Sequence, residues 1–219
     1  MRDSKVVGGV AALVTCGAAA AIFVSTQGGF GPSFDQRPHQ AVGLAMAQQA
    51  LGLLKPGGQI TVIARDTSTF KNPATDAQLA SFRQAVTKAN AKISSIQSLQ
   101  VDPLRMVEVP SGDFLELLRK TPPGNVIVSF MGPPLLSEEQ RVKLPEGRAA
   151  VVAFCSGSLP ERVDLRPLFE QGLLQAAVVS KREVAPGPIP ADLQRCFDRF
   201  FVMVTPSDLA SLPSPNSLQ

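Results

Sequence analysis

Three short polar segments of this chain carry the side chains best suited to binding a small ligand. The first offers a carboxylate, hydroxyls and an amide, the second a glycine, and the third a thiol beside a hydroxyl. In chain order the candidate residues are Asp66, Thr67, Ser68 and Asn72, then Met131 and Gly132, then Cys155 and Ser156. A few such groups in fixed positions are enough to orient a small polar solute by hydrogen bonds. The same residue types also fill turns and helix caps, so a purely structural role stays open.

Groups that could carry out catalysis are scarce. The one histidine, His39, falls in a predicted linker, so no Ser-His-Asp or Cys-His arrangement can be argued. The sequence has no glycine-rich phosphate-binding motif and no cluster with metal-ligand spacing. Residues 154–158 lack the first glycine of a nucleophile elbow. The sequence therefore predicts a protein that is not an enzyme and uses neither a cofactor nor a metal.

Apolar runs that alternate with amphipathic segments predict the elements that position these residues. β-branched runs predict strands at residues 59–65, 93–101, 125–130, 149–154, 174–180 and 200–204. Helical spacing predicts helices at residues 41–54, 76–91, 112–120, 166–172 and 193–197; Ser111 and Ser137 are predicted N-caps, and Ser207 the cap of a closing turn. This order predicts one α/β domain, a three-layer α/β/α sandwich with a mostly parallel sheet. Ligands bind such sheets beyond the carboxyl ends of the strands, where all three polar segments fall.

The N-terminal region predicts where the domain is located. Residues 6–24 contain no charge and follow Arg2 and Lys5, and about 20 apolar residues cross a bilayer as a helix. An uncleaved transmembrane anchor is favoured, with residues 1–5 in the cytoplasm. A cleaved signal peptide, with the small residues 18–20 as its cleavage site, and a lipoprotein anchor on Cys16 remain alternatives. All three place the main domain outside the cytoplasm, and the anchor makes the protein a single-pass protein of the cell membrane.

The rest of the chain divides by composition. Residues 25–40 are rich in Gly, Pro and Ser and predict a flexible linker, residues 41–212 form the domain, and residues 213–219 predict a disordered tail. The net charge of +3 is spread along the chain without a basic stripe, which argues against nucleic acid as a partner. Cys155 and Cys196 could form a disulfide in an oxidising compartment or remain buried thiols, and both alternatives stay open.

Four stretches then follow one another in a recognisable order. They are LAMAQQALGLLKPGGQITVIA at residues 44–64, DAQLASFRQAVTKANAKI at 76–93, VVAFCSGSLPERVDLRPLFEQGLLQAAVV at 151–179 and FFVMVTPSDLASL at 200–212. Together they resemble the C-terminal lobe of the type I periplasmic sugar-binding proteins. The resemblance implies a lobe of that fold, and it places the solute site at the strand ends.

The departures from that family fall on its sugar-contacting positions. Gln78 stands where the resemblance implies an arginine that contacts sugar, and Ser81 takes the place of a glycine. Met131 and Gly132 replace an Asn-Asp pair, and Cys155 replaces an aspartate. Charged groups of this kind carry much of the affinity for sugar hydroxyls in a closed cleft. The resemblance thus adds Gln78 to the candidate residues, while the departures count against ordinary sugar binding.

Two functions follow from these observations. The leading hypothesis is a membrane-anchored, extracytoplasmic solute-binding-protein-like domain that binds a sugar-like small solute or a protein partner at its strand-end loops. The alternative is a non-catalytic assembly module that forms a homodimer, or docks a partner, through the face that a second lobe covers in the family. Roughly 40 residues precede the lobe, too few for that second lobe.

Overall fold

The computed structural model describes residues 34–100, 108–157, 159 and 163–211. The predicted membrane segment, residues 6–24, lies outside the described residues, as do most of the predicted linker and the tail. Within the described ranges, no helix is both long and apolar enough to cross a bilayer.

Six helices and six strands alternate along the described chain. The helices are α1 (Arg37–Leu53), α2 (Pro73–Lys88), α3 (Ser111–Lys120), α4 (Glu138–Val142), α5 (Arg166–Glu170) and α6 (Leu193–Phe200). The strands are β1 (Ile60–Arg65), β2 (Ile93–Leu99), β3 (Val126–Ser129), β4 (Ala150–Cys155), β5 (Ala176–Ser180) and β6 (Phe201–Val204). A 3₁₀ helix, Pro206–Ser211, follows the last strand.

The strands form one sheet in the order β2-β1-β3-β4-β5-β6. The first five are parallel, and β6 runs antiparallel to β5. The central strands β1, β3 and β4 are buried along nearly their whole length, because helices cover both faces of the sheet. The mostly parallel α/β sheet expected from the continuous apolar runs is therefore confirmed.

Two hydrophobic cores lie on the two faces of the sheet. On one face α1, α2 and α6 pack around Met46, Phe82 and Phe197. On the other face α3 and α5 pack around Phe114, Leu118 and Phe169. Side chains of a strand alternate between the faces, so neighbouring apolar residues of β1, β3, β4 and β5 belong to different cores. This arrangement gives the three layers predicted from the sequence.

Several predicted boundaries shift in the structure. Helix α1 begins at Arg37, inside the predicted linker, because Pro38 in its first turn is preset for helical geometry. Ser111 does not cap α3: Pro110 holds the N-cap position and Ser111 is the first helical residue. Ser207 does not cap the 3₁₀ helix either, since Thr205 donates to the Asp208 carboxylate across its start.

One predicted cap is confirmed in full. Ser137 accepts a hydrogen bond from the backbone nitrogen of Gln140, and the side chain of Gln140 accepts one from the backbone of Ser137. This reciprocal pair satisfies two donors at the start of α4, which helps such a short helix to form.

Strand β2 contains an irregularity that the alternation pattern does not predict. Ile60 pairs with Ile93 but Thr61 pairs with Ser95, so Ser94 is an extra residue in β2. The Ser94 hydroxyl lies 3.1 Å from the carbonyl oxygen of Ile60 and 3.0 Å from the hydroxyl of Thr61. The bulge lets Ile93 and Ile96 pack against the same core although they are three residues apart.

Candidate functional site

The three polar segments follow β1, β3 and β4, which are neighbours in the sheet. The chain leaves β1 for β2 on one side and returns to β3 on the other, so the topological switch point lies between β1 and β3. Ile63, Ser129 and Ala153 stand in register across these strands. The residues just beyond them therefore share one end of the sheet, which we call the strand-end edge.

The segment after β1, residues 66–72, folds on itself. The carboxylate of Asp66 accepts a hydrogen bond from the backbone nitrogen of Ser68 at 2.8 Å. This bond, with further help from the Ser68 hydroxyl, holds the pKa of Asp66 below its usual value, so the carboxylate is ionised at neutral pH. The hydroxyl of Thr67 donates to the carboxylate of Asp76 in α2 at 2.9 Å. The loop is thus tied to the helix that follows it.

Asn72 is the N-cap of α2. Its side-chain oxygen accepts hydrogen bonds from the backbone nitrogens of Ala74 and Thr75 at 3.1 and 3.2 Å. An Asn side chain in this position satisfies donors that a helix start leaves without partners. The structural role left open by the sequence therefore accounts for the Asn72 oxygen.

Gln78 is buried in the second turn of α2, with 6% of its surface exposed. The backbone carbonyl of Gln78 faces Gly43 of α1. A β-carbon added to Gly43 would lie only 2.2 Å from that backbone oxygen. Gln78 thus belongs to the part of α2 that closely approaches α1.

The segments after β3 and β4 are mostly covered. Met131 is 2% exposed, and Gly132 adopts a φ of 96° with the side chain of Leu159 directly against it. Cys155 is fully buried, and burial raises the pKa of its thiol to about 12, so the group is neutral. Of the four candidates in these two segments, only Ser156 is exposed.

The two cysteines lie in different cores. Cys155 packs in the core beneath α3 and α5, whereas Cys196 packs in the core beneath α1 and α6. Both are buried thiols outside any disulfide. The sheet separates them, which explains why the alternative of a disulfide is not realised.

The sequence analysis missed one residue of the strand-end edge. Phe70 lies in the loop after β1, and 61% of its surface is exposed. Its neighbours Ser68, Thr69 and Lys71 are also exposed, so the ring projects from a polar loop. An aromatic residue inside a predicted Ser/Thr-rich loop was the available signal, because such a ring has no core to enter.

Two cavities of the described residues lie away from this edge. One of about 260 Å³ is lined by residues of α4 and of the segments that precede β4 and β5. The other, about 540 Å³, is an apolar groove formed by α1, α2 and Leu193. None of the nine predicted site residues lines either cavity. Among the described residues, no three His, Cys, Asp or Glu side chains are placed to hold a metal ion.

No model of a known protein family matches this chain, and no curated protein matches it. A mostly parallel sheet between helical layers, with a switch point beside β1, is the fold of a lobe of the type I periplasmic sugar-binding proteins. The sugar-binding protein of a sugar ABC transporter from Bacillus halodurans has this fold. It superposes with a TM-score of 0.50 at 14% identity, over 80% of this chain and 64% of that protein. The resemblance stated from the sequence is thereby confirmed for the fold.

Two further solved structures were found by the same comparison. A solute-binding protein of an ABC transporter from Burkholderia graminis, in complex with D-arabinose, gives a TM-score of 0.49 at 16% identity, over 80% of this chain and 62% of that protein. A carbohydrate transporter solute-binding protein from Agrobacterium radiobacter, also in complex with D-arabinose, gives a TM-score of 0.49 at 11% identity, over 82% of this chain and 64% of that protein. The chain spans less than two thirds of the length of each of the three structures.

Proposed function

We propose that this chain is a membrane-anchored, extracytoplasmic binding domain built on a solute-binding-protein lobe, and that its strand-end edge recognises a protein partner. The observation that carries the proposal is Phe70, an exposed aromatic ring on the loop at the switch point, where this fold binds its ligands. Aromatic residues, phenylalanine among them, are enriched in protein interfaces relative to the rest of the surface. The polar side chains around Phe70 fit the rim of such an interface.

Burial of the candidate residues argues against a sugar as the main ligand. Met131, Gln78 and Cys155 are all buried, and the Cys155 thiol is neutral. The ionised carboxylate of Asp66 is the remaining strong acceptor among the predicted contacts, and it is already bonded to Ser68. Tight sugar binding needs several converging polar groups in a water-excluding cleft. A small solute bound through Asp66 is therefore the weaker version of the same proposal.

One experiment separates the two ligands at this site. A photo-reactive phenylalanine analogue is placed at position 70 of the full chain in its native host, with a matched control at Arg83, an exposed residue of α2. We expect a discrete crosslinked protein at position 70 and none at position 83. In parallel, the unfolding temperature of the purified full chain is measured with and without D-arabinose, D-ribose and other sugars.

The outcomes of the two measurements divide the hypotheses. A thermal shift that disappears in Asp66→Asn, without a crosslink at position 70, favours solute binding. Equal crosslinking at both positions, or the absence of both signals, contradicts recognition at the strand-end edge.

A second function, assembly with another copy of the chain, is favoured by β2. Among the described residues this strand pairs only with β1, and Ser95, Gln97 and Ser98 along it are exposed. An unpaired edge strand can add a strand from a second molecule. The molar mass of the full chain, measured by light scattering during size-exclusion chromatography, should then be that of a dimer. Ser95→Lys with Gln97→Lys should make it monomeric, because charges on an edge oppose pairing.

A further inference from the structure

The smaller cavity lies at the end of the sheet opposite the strand-end edge. It is formed by α4 and by the segments that lead into β4 and β5, and its volume is about 260 Å³. Two arginines, Arg141 and Arg148, line it together with Gln171 and the apolar side chains of Val142 and Leu144. At about 30 Å³ for each water-sized group, a cavity of about 260 Å³ has room for a small molecule of roughly nine non-hydrogen atoms.

Gln171 holds both guanidinium groups. The Nη1 atom of Arg141 donates to the side-chain oxygen of Gln171 at 2.9 Å, and the Nη2 atom of Arg148 donates to its backbone carbonyl at 2.6 Å. Arg148 also donates to the carbonyl oxygens of Pro145 and Gly172, both at 3.4 Å. Arg148 is thus fixed by the backbone, while most of the donors of Arg141 are uncommitted.

The positive charge of this pair is not balanced by an ion pair. In the described parts of the chain, neither guanidinium lies within ion-pair distance of a carboxylate. In addition, the Nε atom of Arg141 is shielded from solvent and has no hydrogen-bond partner. A charged donor in that state is costly, and a bound water or ion commonly satisfies one. Two guanidinium groups that share Gln171 as a partner, with most donors of Arg141 still uncommitted, favour an anion.

We propose that this cavity binds a small oxyanion, and that carboxylates with a short branched apolar group bind it best. The anion would sit between the two guanidinium groups, with a small turn of the half-exposed Arg141 side chain giving it the Nε–Nη2 edge. Val142 is 83% exposed and Leu144 is half-buried beside it, so they offer an apolar contact to the rest of the ligand. The site is separate from the strand-end edge and does not depend on what binds there.

Glu138 also lines the cavity and opposes the binding of an anion. Its side chain is exposed and forms no ion pair with Arg141 in the described structure. Removal of its charge should strengthen anion binding. A purely structural role for the two arginines makes no such prediction, so Glu138 gives the test its sharpest readout.

The test is calorimetric titration of the purified full chain with inorganic phosphate and with isovalerate, at constant ionic strength in chloride. We expect Arg141→Gln to weaken both ligands about tenfold or more, and Arg141→Lys to weaken them less, because it keeps the charge but loses the fork of donors. Glu138→Gln should tighten both roughly threefold. Val142→Ser should weaken isovalerate and leave phosphate unchanged.

Arg83→Gln, which removes an exposed arginine of α2, is the matched control and should leave both affinities unchanged. Anions such as phosphate also stabilise proteins without binding a site, by exclusion from their surface. The difference in affinity between the Arg141 and Arg83 variants therefore decides the test. Equal affinities for Arg141→Gln and Arg83→Gln, or no heat with either ligand in the wild type, would overturn the proposal. A Glu138→Gln variant that binds more weakly would overturn it as well. Phosphate binding without isovalerate binding would overturn the apolar part of the assignment.

Discussion

At the scale of single residues, burial decides which candidates can meet a ligand. Cys155 ends β4 and Met131 follows β3, and both side chains lie in the core beneath α3 and α5. Asp66 and Phe70 follow β1, where the chain turns away from the sheet, so they stay accessible. Residues that follow or end neighbouring strands thus differ in exposure: Met131 after β3 and Cys155 of β4 are buried, whereas those after β1 can contact a ligand. The difference arises from how each following loop packs, which residue type alone does not reveal.

Cys155 gives a direct check on this burial. Its folded-state pKa is raised from 9.0 to about 12, so the unfolded chain loses the proton near pH 9 while the native protein keeps it. The contribution of this thiol to the free energy of unfolding is therefore full below pH 9 and declines as the pH rises toward 12. We expect the wild type to lose more stability than Cys155→Ala between about pH 9 and pH 11, measured by denaturant unfolding.

Alkylation supplies an independent measurement on the same thiol. At about pH 8.5 iodoacetamide should modify Cys155 only after denaturation, because the thiolate is the reactive form and burial suppresses it. Ser156→Cys places a thiol one residue along, at an exposed position, and should react promptly in the native protein. Fragmentation of the alkylated peptide in the mass spectrometer locates the label at position 155 or 156. If Cys155 were modified in the native state as fast as the thiol introduced at position 156, the strand end would be open.

At the scale of elements, α1 and α2 approach each other closely where Gly43 faces Gln78. Gly43 of α1 meets the backbone of α2 at Gln78 and Phe82, without room for a side chain. Both helices carry residues of the same core, including Met46 and Phe82. Since α2 begins at the Asn72 cap, where the loop of Phe70 ends, the packing of α2 on α1 fixes the position of that end of the loop.

Two glycines of α1 test this contact. Gly43→Ala places a β-carbon about where the Gln78 carbonyl stands, so we expect a loss of about 2 kcal/mol or more in the free energy of unfolding. Gly52→Ala lies in the last turn of the same helix with open space around it, and should raise stability by about 0.5 kcal/mol or less, because the full gain of roughly 0.5–1 kcal/mol applies to a helix interior. Urea unfolding of both variants gives the two values. Similar changes in both would mean that the close approach of α1 and α2 is absent.

The elements were more predictable than the details of the site. The runs that became β1, β3 and β4 are short and β-branched, and a strand buried on both faces needs that composition. Ser137 could be predicted as a cap because Gln140 completes its motif. Ser111 could not be excluded, because Pro110 fills the N-cap position through backbone geometry alone. The pairing of Arg141 and Arg148 depends on Gln171, which lies 30 and 23 residues further along the chain, so no local sequence pattern predicts it.

At the scale of the whole molecule, the two ends of one sheet have different surfaces. The carboxyl ends of β1, β3 and β4 present Asp66, Phe70 and Ser156, whereas the opposite end carries the arginine-lined cavity. Ligands of such sheets bind beyond the carboxyl ends of the strands, so the arginine-lined cavity lies outside the usual place for binding in this fold. If residues 6–24 anchor the chain, both ends of the sheet would meet extracytoplasmic molecules. Orientation in the membrane is thus the premise on which the biological meaning of both sites depends.

That premise can be tested by fusing a reporter to the C-terminus of the full chain. We expect a phosphatase that is active only outside the cytoplasm to be active, and a fluorescent protein that folds only in the cytoplasm to stay dark. The positive residues before the apolar run, Arg2 and Lys5, should retain the N-terminus inside. Ala12→Lys puts a charge in the middle of the run, which costs about 2.5–3.5 kcal/mol for insertion, and should reduce phosphatase activity.

Ala12→Leu is the matched control, since it changes the same position without a charge and should preserve or raise phosphatase activity. Cell fractionation then distinguishes an anchor from a cleaved signal, because only the anchored chain stays with the membrane at its full mass. A bright fluorescent fusion with an inactive phosphatase would place the domain in the cytoplasm. The strand-end edge would then face cytoplasmic partners, and a buried neutral Cys155 would need no protection from an oxidising compartment.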